Sequence, residues 1–305
     1  MTDPAARLVF IGGAPRSGTT LLRRILGAHS RIYAGPEFDV VPDFVRLHAR
    51  LTERVRMGRI GAVVDEAGVD RAVGGALREM LEAKAAREGA EIYVEKSPHN
   101  VLVFSGLLEM YPDARCILVL RDPRAIAASM KEVARRYRAD GKEPPPFCRS
   151  ARASAQEIAR YWEAGFAALK ACPDRVIAIH HEDVTAEPEA AARRLCDFLS
   201  IAYEPGMLRI EEKDYDRGAD ADIDKWYTPA EFARPIERGG EEKWRAVLTP
   251  GEAGLVAHLA PEHPLLARYD PGGPPPASVR LMELRHRLAR RLIGAGRRAA
   301  RRLGG

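Results

Sequence analysis

The sequence predicts an α/β protein with a doubly wound parallel β-sheet that is flanked by helices on both faces. Short apolar runs alternate with longer segments in which apolar residues recur at helical spacing. A chain of 305 residues is also long enough to bury one large core. Hydrophobic residues make up 46% of the chain and charged residues 30%, as in ordinary soluble globular proteins. No apolar run approaches the roughly 20 residues that a membrane-spanning helix needs.

Four runs have the length and composition of buried strands, namely residues 8–11, 91–94, 115–120 and 176–180. We expect Gly12, Gly13 and Pro15 to break the first of these strands. The spacing of apolar residues predicts helices at 19–26, two or three helices between 40 and 84, and further helices at 101–110, 125–137, 151–170, 188–199 and 250–259. Residues 203–245 are irregular and rich in charge, Gly and Pro, which is typical of a lid or a binding loop.

A glycine-rich turn follows the first strand and leads into a helix that begins at Thr19 and Thr20. This layout forms a phosphate cradle, because backbone N–H groups converge there and the helix N-terminus adds partial positive charge. The spacing of Gly13 and Gly18 matches the Walker A pattern of P-loop proteins, but the two threonines stand where Lys-Ser/Thr should follow. The cation in this loop is instead Arg16. The pattern favours an anion with less charge than a triphosphate, bound without a metal.

Charged residues also lie at the ends of later strands. Lys96 follows the second strand and Arg121 follows the third, with Ser129 eight residues further along a helix. Ligands bind at the carboxyl ends of the strands in open α/β sheets, so we expect these residues near the loop. An arginine with a hydroxyl makes a good phosphate clamp. A Gly-Pro turn ahead of Glu37 presents that carboxylate.

The segment PRSGTT at 15–20 resembles the 5′-phosphosulfate loop of sulfotransferases that use 3′-phosphoadenosine 5′-phosphosulfate (PAPS). The likeness is greatest to tyrosylprotein sulfotransferases and their bacterial relatives, and it runs from about residue 9 to 271. It includes the Gly-x-Glu turn, the strand-end lysine, the LRDPR…S segment at 120–129, the Lys-Trp pair at 243–244 and LARYDP at 266–271. The resemblance implies a P-loop-type fold and a PAPS-dependent sulfotransferase.

The resemblance also implies roles for particular residues. The 5′-phosphosulfate would be held by the Arg16 side chain and by the backbone amides of Ser17, Gly18, Thr19 and Thr20. The 3′-phosphate of PAPS, and of the product 3′,5′-adenosine bisphosphate (PAP), would be bound by Arg121 and Ser129. The late loop that closes over the cofactor would contribute Arg238 and Lys243.

For catalysis, the resemblance makes Glu37 the base that accepts the proton of the acceptor hydroxyl as it attacks sulfur. A carboxylate is a weak base for a hydroxyl, so we expect desolvation in the closed site to help. Lys96 and Arg16 would neutralise the charge on the departing phosphate oxygen. Because fixed cations can do this, we expect no metal. His180 and His181 end a strand near the pocket and are an alternative base or an adenosine contact, although packed histidines are the expected interpretation.

The resemblance implies that the acceptor carries a hydroxyl group. The tyrosylprotein enzymes carry a second glutamate where this chain has Pro36, and arginines that recognise acidic peptides where it has Phe38, Asp39 and Asp43. Acidic residues at the entrance to the active site would repel an acidic peptide. We therefore expect a small-metabolite, lipid or glycan hydroxyl, with a tyrosyl peptide less favoured.

The chain divides into a catalytic domain at 1–271, a Pro/Gly linker at 272–278 and a basic amphipathic helix at 279–305. Nine arginines give this tail its charge. A solvated or partner-docking helix is the favoured interpretation, and peripheral contact with an anionic membrane is the alternative hypothesis. Binding of nucleic acid by the tail is disfavoured, because no aromatic residues interleave the arginines.

The N-terminus lacks the pattern of a secretory signal and the four cysteines show no metal-ligand spacing, so we expect a cytoplasmic protein with reduced cysteines. A homodimer remains an open alternative.

Two other functions compete with sulfuryl transfer. A P-loop kinase acting on a small molecule or nucleotide is disfavoured by the absent Walker lysine and by the lack of an obvious magnesium-binding carboxylate. A non-catalytic anion-binding module requires that Glu37 or Lys96 point away from the loop.

Overall fold

A computed structural model describes residues 6–210, 223–227, 236, 242–270 and 277. Its sheet has five strands, β1 Arg7–Gly13, β2 Ile32–Tyr33, β3 Ile92–Lys96, β4 Arg115–Leu120 and β5 Val176–His180. The strand order is β2-β3-β1-β4-β5, and every neighbouring pair is parallel. The predicted α/β fold is confirmed. All four predicted strands form, and β2 is a fifth strand of only two residues, ahead of the Gly-Pro turn.

The prediction that Gly12 and Gly13 break the first strand is wrong, and the strand ends only after them, before Pro15. Both glycines lie within β1 and pair with Leu118 and Val119 of β4. A Cβ atom on Gly12 would lie 2.4 Å from the backbone nitrogen of Val101. One on Gly13 would lie 2.6 Å from the carbonyl oxygen of Val119. These glycines therefore serve close approach of neighbouring backbone, and the turn begins after them.

Helices pack on both faces of the sheet, as a doubly wound fold requires. Those of the described residues are α1 Thr19–Gly27, α2 Val41–Arg56, α3 Glu66–Val69, α4 Gly75–Arg87, α5 Phe104–Met110, α6 Pro123–Ala139, α7 Ala151–Ala171, α8 His181–Ala186, α9 Pro188–Leu199, α10 Ile223–Trp226 and α11 Pro250–His258. A π-helical turn, Asp70–Gly74, joins α3 to α4. The helix predicted at 101–110 is α-helical only from Phe104, because the 3₁₀ segment Pro98–Val103 precedes it.

The side chains of β1 alternate between two buried hydrophobic clusters. Leu8 and Phe10 belong to the cluster that contains α6 and α7, where Trp162 is fully buried. Val9 and Ile11 belong to the cluster that contains α1 and α9. Burial of both faces makes the sheet a rigid platform whose carboxyl edge can hold a site precisely.

In the described part of the chain, no helix is long and apolar enough to cross a membrane. The four cysteines are unpaired, and all but Cys172 are buried. The predicted linker at 272–278, apart from residue 277, and the predicted basic helix at 279–305 lie outside the described residues.

Candidate active site

The loop between β1 and α1 has the geometry of an anion cradle. Arg16 has a φ of 74° and Gly18 a φ of 101°, so the chain turns through left-handed conformations before α1 begins. The hydroxyl of Ser17 is buried and has no hydrogen-bond partner among the described residues. An unsatisfied buried hydroxyl is costly, and the N-terminus of α1 beside it carries partial positive charge. Both features fit an anionic group such as the phosphosulfate of PAPS.

Gly18 brings this loop against the end of β5. A Cβ atom at this position would lie 2.3 Å from Nδ1 of His181, and its positive φ disfavours any side chain. Burial, followed by the charge of Arg121, lowers the pKa of His181 to about 3. A neutral imidazole with so low a pKa is a poor proton acceptor, so the structure does not support His181 as an alternative base.

The sequence predicted that Arg121 and Ser129 act together beside the loop, and in the structure Arg16 contacts both of them. Nε of Arg16 donates a hydrogen bond to the Ser129 hydroxyl, with a length of 2.8 Å. Nη1 of Arg121 donates to the carbonyl oxygen of Arg16 over 3.0 Å. Burial lowers the pKa of Arg121, but a guanidinium stays charged at neutral pH. Two guanidinium groups and a hydroxyl thus lie together beside the loop.

The turn that carries Arg121 is fixed by a buried network. The Asp122 side chain caps α6 by accepting a hydrogen bond from the backbone N–H of Arg124, 2.8 Å away. The backbone N–H of Asp122 itself donates to the buried Glu182 over 2.8 Å. The Tyr269 hydroxyl donates to the other oxygen of Glu182 and lies 2.9 Å from Nδ1 of His180. The LARYDP segment therefore supports the Arg121 turn, and His180 is a packed strand-end histidine.

Glu37 and Lys96 form an ion pair at the carboxyl end of β3. Only 2% of the Lys96 side chain is exposed, whereas 40% of the Glu37 side chain is exposed. Nζ of Lys96 also donates a 3.2 Å hydrogen bond to the hydroxyl of Thr20 in the loop helix. One buried cation therefore contacts both the candidate base and the anion cradle. A non-catalytic anion-binding module would require Glu37 or Lys96 to point away from the loop. The structure shows neither arrangement.

Two residues that the sequence reasoning missed also contact the loop. The carbonyl oxygen of Trp226 accepts a 2.5 Å hydrogen bond from Nη1 of Arg16. The hydroxyls of Tyr227 and Thr20 lie 2.8 Å apart, and the Arg16 guanidinium stacks 4.5 Å from the centroid of the Tyr227 ring. The segment lies within residues 203–245, which the sequence predicted as a lid or binding loop. The adjacent aromatic residues Trp226 and Tyr227 were a signal in the sequence, but no hydrophobic periodicity indicated that they lie beside the loop.

Glu95 is a further residue that the sequence reasoning missed. This glutamate is fully buried at the end of β3, directly before Lys96. Its carboxylate accepts hydrogen bonds from the backbone N–H of Phe38 (2.9 Å), from the Ser97 hydroxyl (2.7 Å) and from the Asn100 amide. Burial raises the pKa of Glu95 to about 7. The signal in the sequence was an acidic residue at the end of an otherwise apolar strand.

Of the two residues assigned to the late loop, Arg238 lies outside the described residues. Lys243 is exposed at the start of the 3₁₀ turn Lys243–Ala246. Trp244 of this turn is buried, and the guanidinium of Arg124 stacks 4.6 Å from the centroid of its ring. The turn thus packs on α6, while the part played by Lys243 in binding stays a prediction.

Comparison with known proteins decides the family. The model of the Sulfotransferase family matches residues 9–205, which is more than half of the chain. The chain is also 30% identical over 274 residues to protein-tyrosine sulfotransferase 1 of Danio rerio, covering 88% of this chain and 74% of that protein. The chain belongs to the sulfotransferase family. This confirms the predicted enzyme class, a PAPS-dependent sulfotransferase, and the kinase alternative is set aside.

Other relatives agree. Protein-tyrosine sulfotransferase 2 of Gallus gallus is 28% identical over 276 residues, covering 88% of this sulfotransferase and 71% of that protein. Among solved structures, the sulfotransferase domain from the curacin biosynthetic pathway superposes with a TM-score of 0.55 at 20% identity, covering 83% of this chain and 96% of that domain. The sulfotransferase domain of the Synechococcus PCC 7002 olefin synthase gives 0.51 at 20% identity, with coverages of 87% and 98%. These two likenesses concern the fold.

Proposed function

We propose that this sulfotransferase moves the sulfuryl group of PAPS to an acceptor hydroxyl, with Glu37 as the base and with Lys96 and Arg16 as the stabilising cations. The observation that carries the proposal is the position of Lys96. Its ammonium group is buried, pairs with Glu37 and donates to Thr20. A group so placed can act on the proton acceptor and on the departing phosphate at the same time.

The cradle would hold the anionic end of PAPS. The Ser17 hydroxyl, the backbone amides of residues 18–20 and the Arg16 guanidinium would be its donors, and Arg121 with Ser129 would bind the 3′-phosphate. The backbone amide of Ser17, which the sequence also assigned to the cradle, instead donates a 3.0 Å hydrogen bond to the carbonyl oxygen of Ala14. In this structure Arg16 donates to Ser129 and to the Trp226 carbonyl, and these contacts hold its guanidinium beside the loop.

Glu37 would take the acceptor proton. Its side chain is 40% exposed, so an incoming hydroxyl can reach it. Lys96 orients the carboxylate, and its ammonium group would then be available to the phosphate oxygen as negative charge builds there. In sulfuryl transfer, as in phosphoryl transfer, positioning and charge compensation supply most of the rate enhancement.

A tyrosyl hydroxyl is a candidate acceptor, because the curated relatives are named protein-tyrosine sulfotransferases. The residues beside Glu37 argue against an acidic peptide. Asp39 and Asp43 are exposed there, and the carboxylate of Asp43 is paired with Arg46 over 3.0 Å. We therefore propose a neutral or basic acceptor, either a tyrosyl peptide without acidic flanks or a small-metabolite, lipid or glycan alcohol.

The experiment is transfer of ³⁵S from labelled PAPS to a panel of acceptors in the presence of EDTA. The panel holds one tyrosyl peptide with acidic flanks, the same peptide with basic flanks, and simple phenols and alcohols. We expect transfer without metal, faster to the basic than to the acidic peptide, and a loss of at least about 100-fold in Glu37→Gln. Equal rates for Glu37→Gln and the intact protein would refute the assigned base.

Two proposals on cellular context rest on the sequence. The cytoplasmic location is tested by cell fractionation. Membrane contact through the basic tail is tested by sedimentation with anionic liposomes of the intact chain and of a chain that ends at residue 273. Equal binding of the two chains would refute a role for the tail.

A further inference from the structure

The turn that carries Glu37 is held on both sides by buried charged residues. Before it, Nη1 of Arg23 donates a 2.7 Å hydrogen bond to the carbonyl oxygen of Gly35. After it, the backbone N–H of Phe38 donates a 2.9 Å hydrogen bond to the carboxylate of Glu95. Arg23 is 4% exposed and Glu95 is not exposed at all. The base therefore projects from a short turn whose two ends are tied to the interior.

Glu95 is itself rigidly supported. Ser97 and Asn100 both donate to its carboxylate, and Asn100 also donates to the carbonyl oxygen of Ile11 over 3.2 Å. The network thus joins β3, the following 3₁₀ segment and β1. A buried carboxylate is costly even when it is hydrogen-bonded, so a packed apolar side chain would serve stability better at this position. Its placement next to Lys96 points to a role in the site.

Glu95 and Lys96 are consecutive residues whose side chains leave the strand in opposite directions. Lys96 pairs with the side chain of Glu37, and Glu95 binds the next peptide N–H. Consecutive residues of β3 thereby hold consecutive residues of the turn. We propose that Glu95 is a positioning residue, which fixes the Glu37–Phe38 peptide and thereby the Glu37 carboxylate beside Lys96. This inference rests on the proposed role of Glu37 as the base.

The inference predicts different behaviour for two substitutions. In Glu95→Gln the amide oxygen still accepts a hydrogen bond from Phe38, so the turn should stay in place. In Glu95→Leu the acceptor is lost at similar side-chain size, so the turn should loosen. The matched control is Tyr111→Phe, which removes another buried hydrogen bond, from the Tyr111 hydroxyl to the carbonyl oxygen of Gly74, far from the loop.

The first readout is hydrogen exchange of the Phe38 amide, measured by NMR on the full-length protein. We expect slow exchange in the intact protein, in Glu95→Gln and in Tyr111→Phe, and exchange at least about 10-fold faster in Glu95→Leu. The second readout is sulfuryl transfer from PAPS to the acceptor that the panel identifies. We expect kcat to fall about 10- to 100-fold in Glu95→Leu, with the affinity for PAP changed less than about 2-fold.

The outcomes separate this inference from the proposed function. If the Phe38 amide exchanges without protection in the intact protein, Glu95 does not hold the turn and the inference is overturned. This measurement does not depend on the folding of any variant. A loss of kcat in Glu95→Gln equal to that in Glu95→Leu would overturn positioning by hydrogen bonding. Faster Phe38 exchange in Glu95→Leu with unchanged kcat would show that the position of the turn does not affect catalysis by Glu37, and would overturn the proposed positioning role. If the intact protein transfers nothing to any acceptor, the proposed function fails, and Phe38 exchange still decides whether Glu95 holds the turn.

Discussion

Replacing Glu95 by glutamine should change how the stability of this protein depends on pH. Burial raises the pKa of Glu95 from its usual 4.5 to about 7. Between these two pH values the folded protein holds a proton that the unfolded chain has released. The stabilisation linked to this proton is therefore complete below about pH 4.5 and is lost as the pH rises to about 7. Above pH 7 the loss is constant, because both states are then ionised.

The shift sets the size of the effect. One pKa unit corresponds to about 1.4 kcal/mol, so the wild-type protein should lose about 3 kcal/mol of unfolding free energy between pH 4.5 and pH 8 through this group. Glutamine cannot ionise and does not incur this loss. The free energy of unfolding of Glu95→Gln, minus that of the wild type, should therefore rise by about 3 kcal/mol across that range. Any pH-independent cost of the substitution cancels from the comparison.

The assay is urea unfolding, followed by circular dichroism at several pH values between 4.5 and 8. Glu79→Gln provides the control, because it removes an exposed glutamate of α4 and changes the net charge by the same amount. Its difference from the wild type should vary by less than about 0.5 kcal/mol over the pH range. A difference for Glu95→Gln that is equally flat would refute the argument, because it would mean that water or a rearranged partner solvates the carboxylate in the folded state.

Three further substitutions test the cradle and the scaffold. Arg121→Ala removes a buried guanidinium beside the loop and should weaken binding of PAP by about 1–3 kcal/mol in calorimetric titration without magnesium. Gly18→Ala forces a side chain into a left-handed backbone and within 2.3 Å of Nδ1 of His181, so PAP binding should be lost and the melting temperature should fall. Thr249→Ala breaks the capping box of α11 with Glu252 and should cost about 1 kcal/mol in thermal unfolding, with PAP binding unchanged.

Much of the site could be predicted because topology fixes where it lies. In a parallel sheet, residues that follow the strands meet at the carboxyl edge, whatever their separation in sequence. Arg16 follows β1, Lys96 ends β3 and Arg121 follows β4, so the strand pattern alone brought them together. Ser129 could be added because a helix of known pitch returns it toward the loop, where it meets Arg16.

Other features depend on tertiary contacts that leave no local pattern. The need for Gly12 and Gly13 arises from backbone that comes from two other elements, so sequence alone could only assign them to a turn. Tyr227 reaches Thr20 across 207 residues of chain. Glu95 accepts from Phe38 across 57 residues. Each is a single polar contact, and no periodicity in hydrophobic residues encodes it.

If Lys96 acts as proposed, its position would allow this fold to work without a Walker lysine. In a P-loop nucleotidase that lysine lies in the loop itself, after the second glycine. Here Thr19 takes its place, and the ammonium group comes from β3, in register with Ile11 of β1. From this strand Lys96 contacts Thr20 of the cradle and also Glu37. A lysine in the loop would serve the phosphates, whereas a lysine on the adjacent strand can link the developing charge on the leaving group to the base. In the mechanism proposed above, Glu95, one residue earlier, would give that base a fixed position.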